Sequence, residues 1–408
     1  MSLNATPASN RLHIVFLGRT NTGKSSLLNA LTNQDLAVVS AISGTTTDPV
    51  KKSMELLPLG PVVLIDTPGL DDTGELGSKR IEKTKEALRQ ADMAIVVADA
   101  QTGLTEAEKA VIEELKKKAL PYLVAYNKAD LLTEEQKQKY SQEHLVSSLT
   151  KEGVNALKEA LGKLKPQKDS IPLIQDLVYP GDIIFLVVPI DSAAPKGRLI
   201  LPQQQVIRDA LEKGALPLVT RDTELAQALT KITPTLVVTD SQAFGKVSKI
   251  VPESIPLTSF SILLSRAKGD LEEQIKGIKA LLSLKDRDPV LIAEGCTHHR
   301  QCEDIGTVKI PKWIREKLQV EPDFHFTSGG EYPKDLTPYK VVIHCGGCML
   351  PPQEMKNRLL QAKEQGVPIT NYGMAIAALH NVLARSLQVF PSVANLLSKE
   401  NKPPSLSA

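Results

Sequence analysis

Cysteine is scarce in this 408-residue chain, aromatic residues make up only 4% of it, and opposite charges nearly cancel at +2. Each shortage closes a class of explanation. All four cysteines lie in the last third of the chain, so they cannot staple loops along its length as in a disulfide scaffold. The near-neutral balance gives no electrostatic case for nucleic acid or an acidic membrane as partner. The first residues, Met1 to Arg11, are polar and lack the apolar stretch of a signal peptide. The longest candidate span, Ile183 to Ile190, stops at the length of a strand. Few thiols and no targeting segment fit a reducing cytoplasm. The single tryptophan, Trp313, reads as core or helix-face packing.

What is present is ordinary globular material, 42% hydrophobic and 24% charged, in a chain long enough for two to four domains. Apolar runs at Ile14–Leu17, Val62–Ile65, Ala94–Val97 and Tyr122–Ala125 predict buried parallel strands. Amphipathic stretches at Lys79–Gln90 and Thr105–Ala119 predict helices between them, the doubly wound α/β pattern. A polar segment, residues 165–170, reads as a linker. Beyond it Ile183–Ile190, Leu216–Thr220, Thr235–Thr239 and Ser254–Leu257 are strand candidates and Gln203–Leu211 a helix. This middle unit has no phosphate loop and no cluster of metal-binding side chains, so it reads as structural or dimer-forming. After a helix candidate at Leu271–Leu284 a third alternation begins, with strands at Val290–Ala293, Val341–Ile343 and Pro368–Thr370 and a helix at Pro352–Gln365. The expected fold is three α/β domains over 1–166, 167–268 and 269–408.

Gly18-Arg19-Thr20-Asn21-Thr22-Gly23-Lys24-Ser25 fits the P-loop pattern, between a predicted strand and a helix, with the following Ser26 a further candidate for binding the nucleotide. Backbone N–H groups of such a loop cradle phosphates; Lys24 would reach the β- and γ-oxygens and Ser25 would hold Mg²⁺. Asp66-Thr67-Pro68-Gly69 ends a strand, placing Asp66 near the magnesium and the Gly69 N–H near the γ-phosphate. In Asn127-Lys128-Ala129-Asp130, the carboxylate of Asp130 can accept both hydrogens of the guanine N1–N2 edge, a pair that adenine lacks. Ser147-Ser148 is a candidate for the guanine carbonyl. Thr45 or Thr46, in Gly44-Thr45-Thr46-Thr47-Asp48, can serve magnesium and the γ-phosphate, with Thr46 preferred. Four ordered motifs select GTP, with Lys24, Thr46 and Gly69 at the reacting phosphate and Ser25, Thr46 and Asp66 on Mg²⁺. Leu70 stands where a water-orienting Gln is placed in Ras-like proteins, which predicts slow unaided hydrolysis.

Three of the cysteines frame two short motifs, Cys296-Thr297-His298 and His344-Cys345-Gly346-Gly347-Cys348. Both follow predicted strands closely. If those strands are parallel neighbours, both ligand sets emerge at one carboxyl edge. Spacing alone leaves three readings: a zinc site of mixed Cys and His, a four-cysteine site using Cys302, or a [4Fe–4S] cluster on Cys296, Cys345 and Cys348. His298, His344 and Glu303 are candidates for a fourth, exchangeable ligand, and each His can equally be a structural donor.

The P-loop with Asn21 at its fourth position resembles the TrmE/Era-like GTPases, some of which bind K⁺ beside the phosphates. The resemblance implies K⁺-stimulated hydrolysis with Asn21 near the ion. A P-loop GTPase followed by Cys-x-His and His-Cys-x-x-Cys, in this order, resembles the HydF family, maturation GTPases and scaffolds of [FeFe]-hydrogenase. The likeness runs over the whole chain. It implies a GTPase domain, a dimerisation domain and a domain that binds a [4Fe–4S] cluster through Cys296, Cys345 and Cys348 and carries the diiron precursor of the hydrogenase site. Homodimerisation, the apo-hydrogenase and two radical-SAM maturases are the implied partners. The rival reading is a zinc-stabilised TrmE/Era-like GTPase switch acting on RNA or on a protein.

Overall fold

Short apolar runs separated by amphipathic stretches become three sheets in the computed structural model, which describes residues 7–32, 49–70, 75–164, 171–190, 199–295 and 304–398. The chain divides into two compact units, residues 1–169 and 170–408.

The first unit holds one six-stranded sheet in the order Val50–Leu56, Gly60–Asp66, Leu12–Leu17, Met93–Asp99, Tyr122–Asn127 and His144–Leu145. Every neighbouring pair is parallel except the first, which is antiparallel. Side chains alternate between faces with the period of a strand. Ile14 and Phe16 pack with Leu27, Leu31 and Leu157 on one face, and Val15 and Leu17 with Leu88, Ile112 and Leu115 on the other. Each such buried aliphatic side chain contributes roughly 1.5–3 kcal/mol. With helices on both faces, the central strand Leu12–Leu17 is buried throughout, which explains its unbroken apolar run.

The second unit holds two four-stranded, wholly parallel sheets. Their orders are Leu257–Ser259, Leu236–Thr239, Ile183–Val187, Leu216–Thr220 and Asp323–Ser328, Pro289–Glu294, Val341–His344, Ile369–Asn371. One continuous apolar core joins them. Phe185 and Val237 of the first sheet, Val290 and Ile343 of the second, and Phe260, Ile278 and Ile376 from intervening helices belong to the same cluster. The helix Tyr372–Leu379 is buried on every side, in keeping with a sequence that has no polar face.

Some strands differ from expectation. Ile183–Val187 ends before Pro189, which has no N–H for the ladder, and Leu257–Ser259 begins only after Pro256. Val50–Leu56 and Asp323–Ser328 were not anticipated; both are edge strands with polar outer faces. The pair that matters for the thiols is as expected: Pro289–Glu294 and Val341–His344 are parallel neighbours with Ala293 opposite His344. Their ends lie level at the carboxyl edge. Among the described residues no helix is long and apolar enough to cross a membrane.

Candidate functional site

In the first unit the site grows from the turn between Leu12–Leu17 and the helix Lys24–Thr32. Lys24 is buried and its Nζ donates to the carbonyls of Gly18 at 3.0 Å and Arg19 at 2.7 Å, inside the loop. The Ser25 hydroxyl donates to Asp66 Oδ2 at 2.5 Å, so the two magnesium candidates touch. Asp66 Oδ1 is buried with no protein partner. Burial raises the Asp66 pKa against the opposing pull of Ser25 and Lys24. A buried, underpartnered carboxylate oxygen beside a hydroxyl is a donor set suited to a hard cation.

Asn127 ties the other motifs to the loop. Its Nδ2 donates to the carbonyls of Thr22 at 3.0 Å and Gly23 at 3.4 Å, while its Oδ1 accepts from the Ser148 N–H at 3.0 Å and hydroxyl at 2.6 Å. Gly23 has φ +86°, and a Cβ there would stand 2.3 Å from Asn127 Nδ2, so only glycine allows this contact. Asp130 is exposed at the rim, and its Oδ1 accepts from Ser147 Oγ at 2.5 Å. Lys128, in a left-handed conformation, reaches Asp99 at 2.7 Å. Thr67 Oγ1 donates to the Phe16 carbonyl at 2.5 Å, and the N–H of Leu70, just past Pro68 and Gly69, donates to the Gly18 carbonyl at 3.3 Å. Asn21 is exposed with φ 63°, and Ser26 is half-buried on the helix. Thr45 and Thr46 lie outside the described residues.

One contact of the loop escaped the sequence reading. Arg19 Nε donates to the buried Glu108 at 3.0 Å and Arg19 Nη2 to Thr102 at 3.0 Å. Glu108 also closes the capping box that Thr105 opens at the helix Glu106–Lys117. Burial pulls its carboxyl up, but the bonds from Thr105 and Arg19 together outweigh it and leave the pKa lowered. The Thr105-x-x-Glu108 spacing signals the cap; nothing local signals the arginine.

In the second unit the site lies at the level strand ends. Cys345 and Cys348 are free thiols. Cys345 Sγ accepts the N–H of Gly295 at 3.0 Å and of Gly347 at 3.4 Å. Gly295 is the residue that precedes Cys296. Cys296 itself, with His298, Cys302 and Glu303, lies outside the described residues. Gly347 has φ +60°, which lets the loop turn its N–H onto sulfur. Burial pushes the Cys345 thiol up to about 11 despite those two N–H groups, and it raises Cys348 too, against the charge of Lys268. Two thiols on one tight loop, with backbone N–H groups aimed at sulfur, fit a thiolate-held metal or cluster.

His344 is fully buried, and both ring nitrogens face protein groups: Nδ1 lies 2.7 Å from the Cys345 carbonyl and Nε2 3.0 Å from Arg358 Nη1. A guanidinium only donates, so Nε2 accepts and Nδ1–H donates. Burial, then the Arg358 charge, lowers the His344 pKa to about 3. In this arrangement the ring is neutral and both nitrogens are engaged by protein groups, the structural-donor alternative for His344, in which it braces the cysteine loop. Three further residues at this edge were not foreseen. Glu294 accepts from the Tyr372 hydroxyl at 3.3 Å, and Lys268 donates to carbonyls of the loop. Among the described residues no three His, Cys, Asp or Glu side chains gather as a metal site.

Comparison with known proteins accords with this geometry. Residues 173–269 match the model of the hydrogen maturase F dimerization domain, and residues 272–389 that of the hydrogen maturase F tetramerization domain. Residues 13–128 match a model described as a 50S ribosome-binding GTPase. The chain is similar to the tRNA modification GTPase MnmE of Chromobacterium violaceum, 39% identical over 154 residues that cover 37% of this chain and 34% of that protein. MnmE of Moorella thermoacetica is 40% identical over 151 residues, covering 36% and 32%. The chain thus spans about a third of the length of the curated relatives it matches. A crystal structure of Aquifex aeolicus Era bound to GDP and aluminium fluoride overlaps 51% of this chain and 92% of its own, with TM-score 0.34 and 18% identity. The first unit is a GTPase domain, which implies GTP and Mg²⁺. With two of that family's own domains running almost without a gap from 173 to 389, the chain belongs to the hydrogen maturase F family.

Proposed function

We propose that this chain is a GTP-hydrolysing scaffold that holds a [4Fe–4S] cluster and carries the diiron precursor of the [FeFe]-hydrogenase site to the apoprotein. The observation that supports it most is the Gly295 N–H on Cys345 Sγ, which joins the strand leading to Cys296 to the loop of Cys345 and Cys348. Those three cysteines are the proposed ligands. His298 or Glu303 would close the set weakly. Such a cluster supplies an iron corner at which cargo can dock.

The chain's own residues hold and shape this place. The N–H groups of Gly295 and Gly347 stabilise negative charge on sulfur, His344 braces the loop from behind, and Lys268 gathers its carbonyls. In the first unit Lys24 and the loop N–H groups bind phosphate, while Ser25 and Asp66, joined by Thr46, hold Mg²⁺. Asn21 is the proposed contact of a K⁺ ion. Asp130 reads the guanine, with Ser147 and Ser148 behind it. Division into domains 1–166, 167–268 and 269–408, a homodimeric cytoplasmic protein, and docking of two radical-SAM maturases complete the reading. The nucleotide state would bias partner release, which requires different affinities of two conformations for GTP and GDP.

The test is anaerobic purification and reconstitution. A brown protein with about four irons per chain supports the scaffold; a colourless zinc protein would replace it with a zinc-stabilised GTPase. Cys296→Ser, Cys345→Ser or Cys348→Ser should each abolish activation of apo-hydrogenase.

A further inference from the structure

Lys268 ends the helix Phe260–Lys268, in the last residues matched by the dimerization model, and is only 7% exposed. Its Nζ donates to the carbonyls of Gly347 at 2.9 Å, Cys348 at 3.3 Å and Leu350 at 3.3 Å. Carbonyl oxygens only accept, so three around one nitrogen call for three N–H bonds, which the charged ammonium supplies and a neutral amine does not. A buried cation is costly to keep, and an apolar side chain of similar volume would fill the place without that cost. The loop shows what the charge achieves. Gly347 has its C=O on the ammonium and its N–H on Cys345 Sγ, so gathering the carbonyls to one side turns a donor toward the thiols on the other.

We propose that Lys268 is a positioning residue of the thiolate site: it folds the Cys345–Cys348 loop around its ammonium and keeps a positive charge beside the sulfurs, so that a bound anionic cluster is easier to reduce and harder to lose. This rests on the cluster reading above. It also makes the terminal helix of the dimerization segment a part of the site in the segment that follows. A lysine that only stapled the loop would act on the reduction potential solely through N–H···S bonds and solvent access, so an uncharged residue that keeps the loop folded would leave the potential near its wild-type value.

Full-length wild type, Lys268→Arg, Lys268→Gln and Lys268→Met are reconstituted with iron and sulfide. Each is assayed by redox titration, by the rate of iron loss to a chelator, and by amide hydrogen exchange across residues 345–351 of the iron-free protein. Lys268→Met should shift the midpoint potential to more negative values, speed iron loss and speed exchange of the loop, each rate by about tenfold or more. Lys268→Gln, which keeps two N–H donors without charge, should show the same fall in potential with a smaller change in exchange, and it stands in if the methionine variant does not fold. Lys268→Arg should hold the wild-type potential. Wild-type potential in both uncharged variants overturns the proposal even if exchange rises, and so does unchanged exchange in Lys268→Met. If wild type itself takes up no iron–sulfur cluster, the cluster reading falls and this inference with it; a loaded wild type beside indistinguishable variants sinks Lys268 alone.

Discussion

Arg358 donates to Nε2 of His344 at 3.0 Å, so the histidine of the His-Cys-Gly-Gly-Cys motif meets a fixed cation inside the protein. The same guanidinium bonds Glu354 at 2.9 Å and the Gly329 carbonyl at 2.7 Å, and lies over the Tyr332 ring. Removing it leaves a buried carboxylate and a buried ring nitrogen unpaired. Arg358→Met should therefore cost about 3–5 kcal/mol. Trp313, the single tryptophan, lies in the unit 170–408, so denaturant titration followed by its fluorescence reports that unit directly. A loss below about 1 kcal/mol would show that the arginine braces nothing.

The Cys345–Cys348 turn offers a sharper contrast. Gly347→Ala puts a side chain on a residue at φ +60°, 3.2 Å from Met355 Sδ, whereas a Cβ on Gly346 meets nothing. Gly347→Ala should lose roughly 1–3 kcal/mol and release iron faster, while Gly346→Ala should stay within about 0.5 kcal/mol of wild type. Equal behaviour in thermal melts and iron retention would count against the turn geometry.

Nucleotide selection should follow two side chains that act differently. Asn127→Ala unties the loop from the base-binding motifs and should weaken GTP and GDP alike, by about 10–100-fold. Asp130→Ala should instead erode the preference for GTP over ATP by about 100-fold or more. Fluorescent-nucleotide competition separates the two effects, and a uniform loss in both variants would reject the assignment of Asp130 to the base.

Acid should loosen the first unit through Glu108. Its folded pKa lies below the ordinary value of 4.5, so its stabilisation is complete above that pH and is lost as pH falls through the folded value. Arg19→Ala removes one cause of the depression. That variant should melt lower at neutral pH and lose less on acidification, as read from circular dichroism melts of the two proteins across the acid range. Parallel curves would dismiss the pair.

With Leu70 in place of a water-orienting side chain, hydrolysis should lean on a monovalent ion near Asn21. Phosphate release should be about tenfold or more faster in K⁺ than in Na⁺, and Asn21→Ala should abolish the difference. Equal rates in both salts would remove the ion from the account.

The GTPase domain was legible because its motifs are contiguous and stand at strand ends. The strands Pro289–Glu294 and Val341–His344 were legible because a doubly covered sheet demands unbroken apolar runs. Val50–Leu56 and Asp323–Ser328 were not, since the first buries only Leu56, the second buries no residue, and both are diluted with charged or hydroxyl side chains. The supporting cations were the least visible. Lys268 lies 79 residues from Gly347, and Arg358 is an ordinary helix residue until the fold sets it against His344. No period or motif encodes such pairings.

Because Phe260, Ile278 and Val290 sit in one continuous core, the two maturase segments have no polar seam between residues 269 and 272 at which to be parted. A gene truncated there would yield fragments with greasy open walls, prone to clump. Chimaeras between relatives should therefore exchange 170–408 as a single cassette, and proteases should find their first easy cut elsewhere.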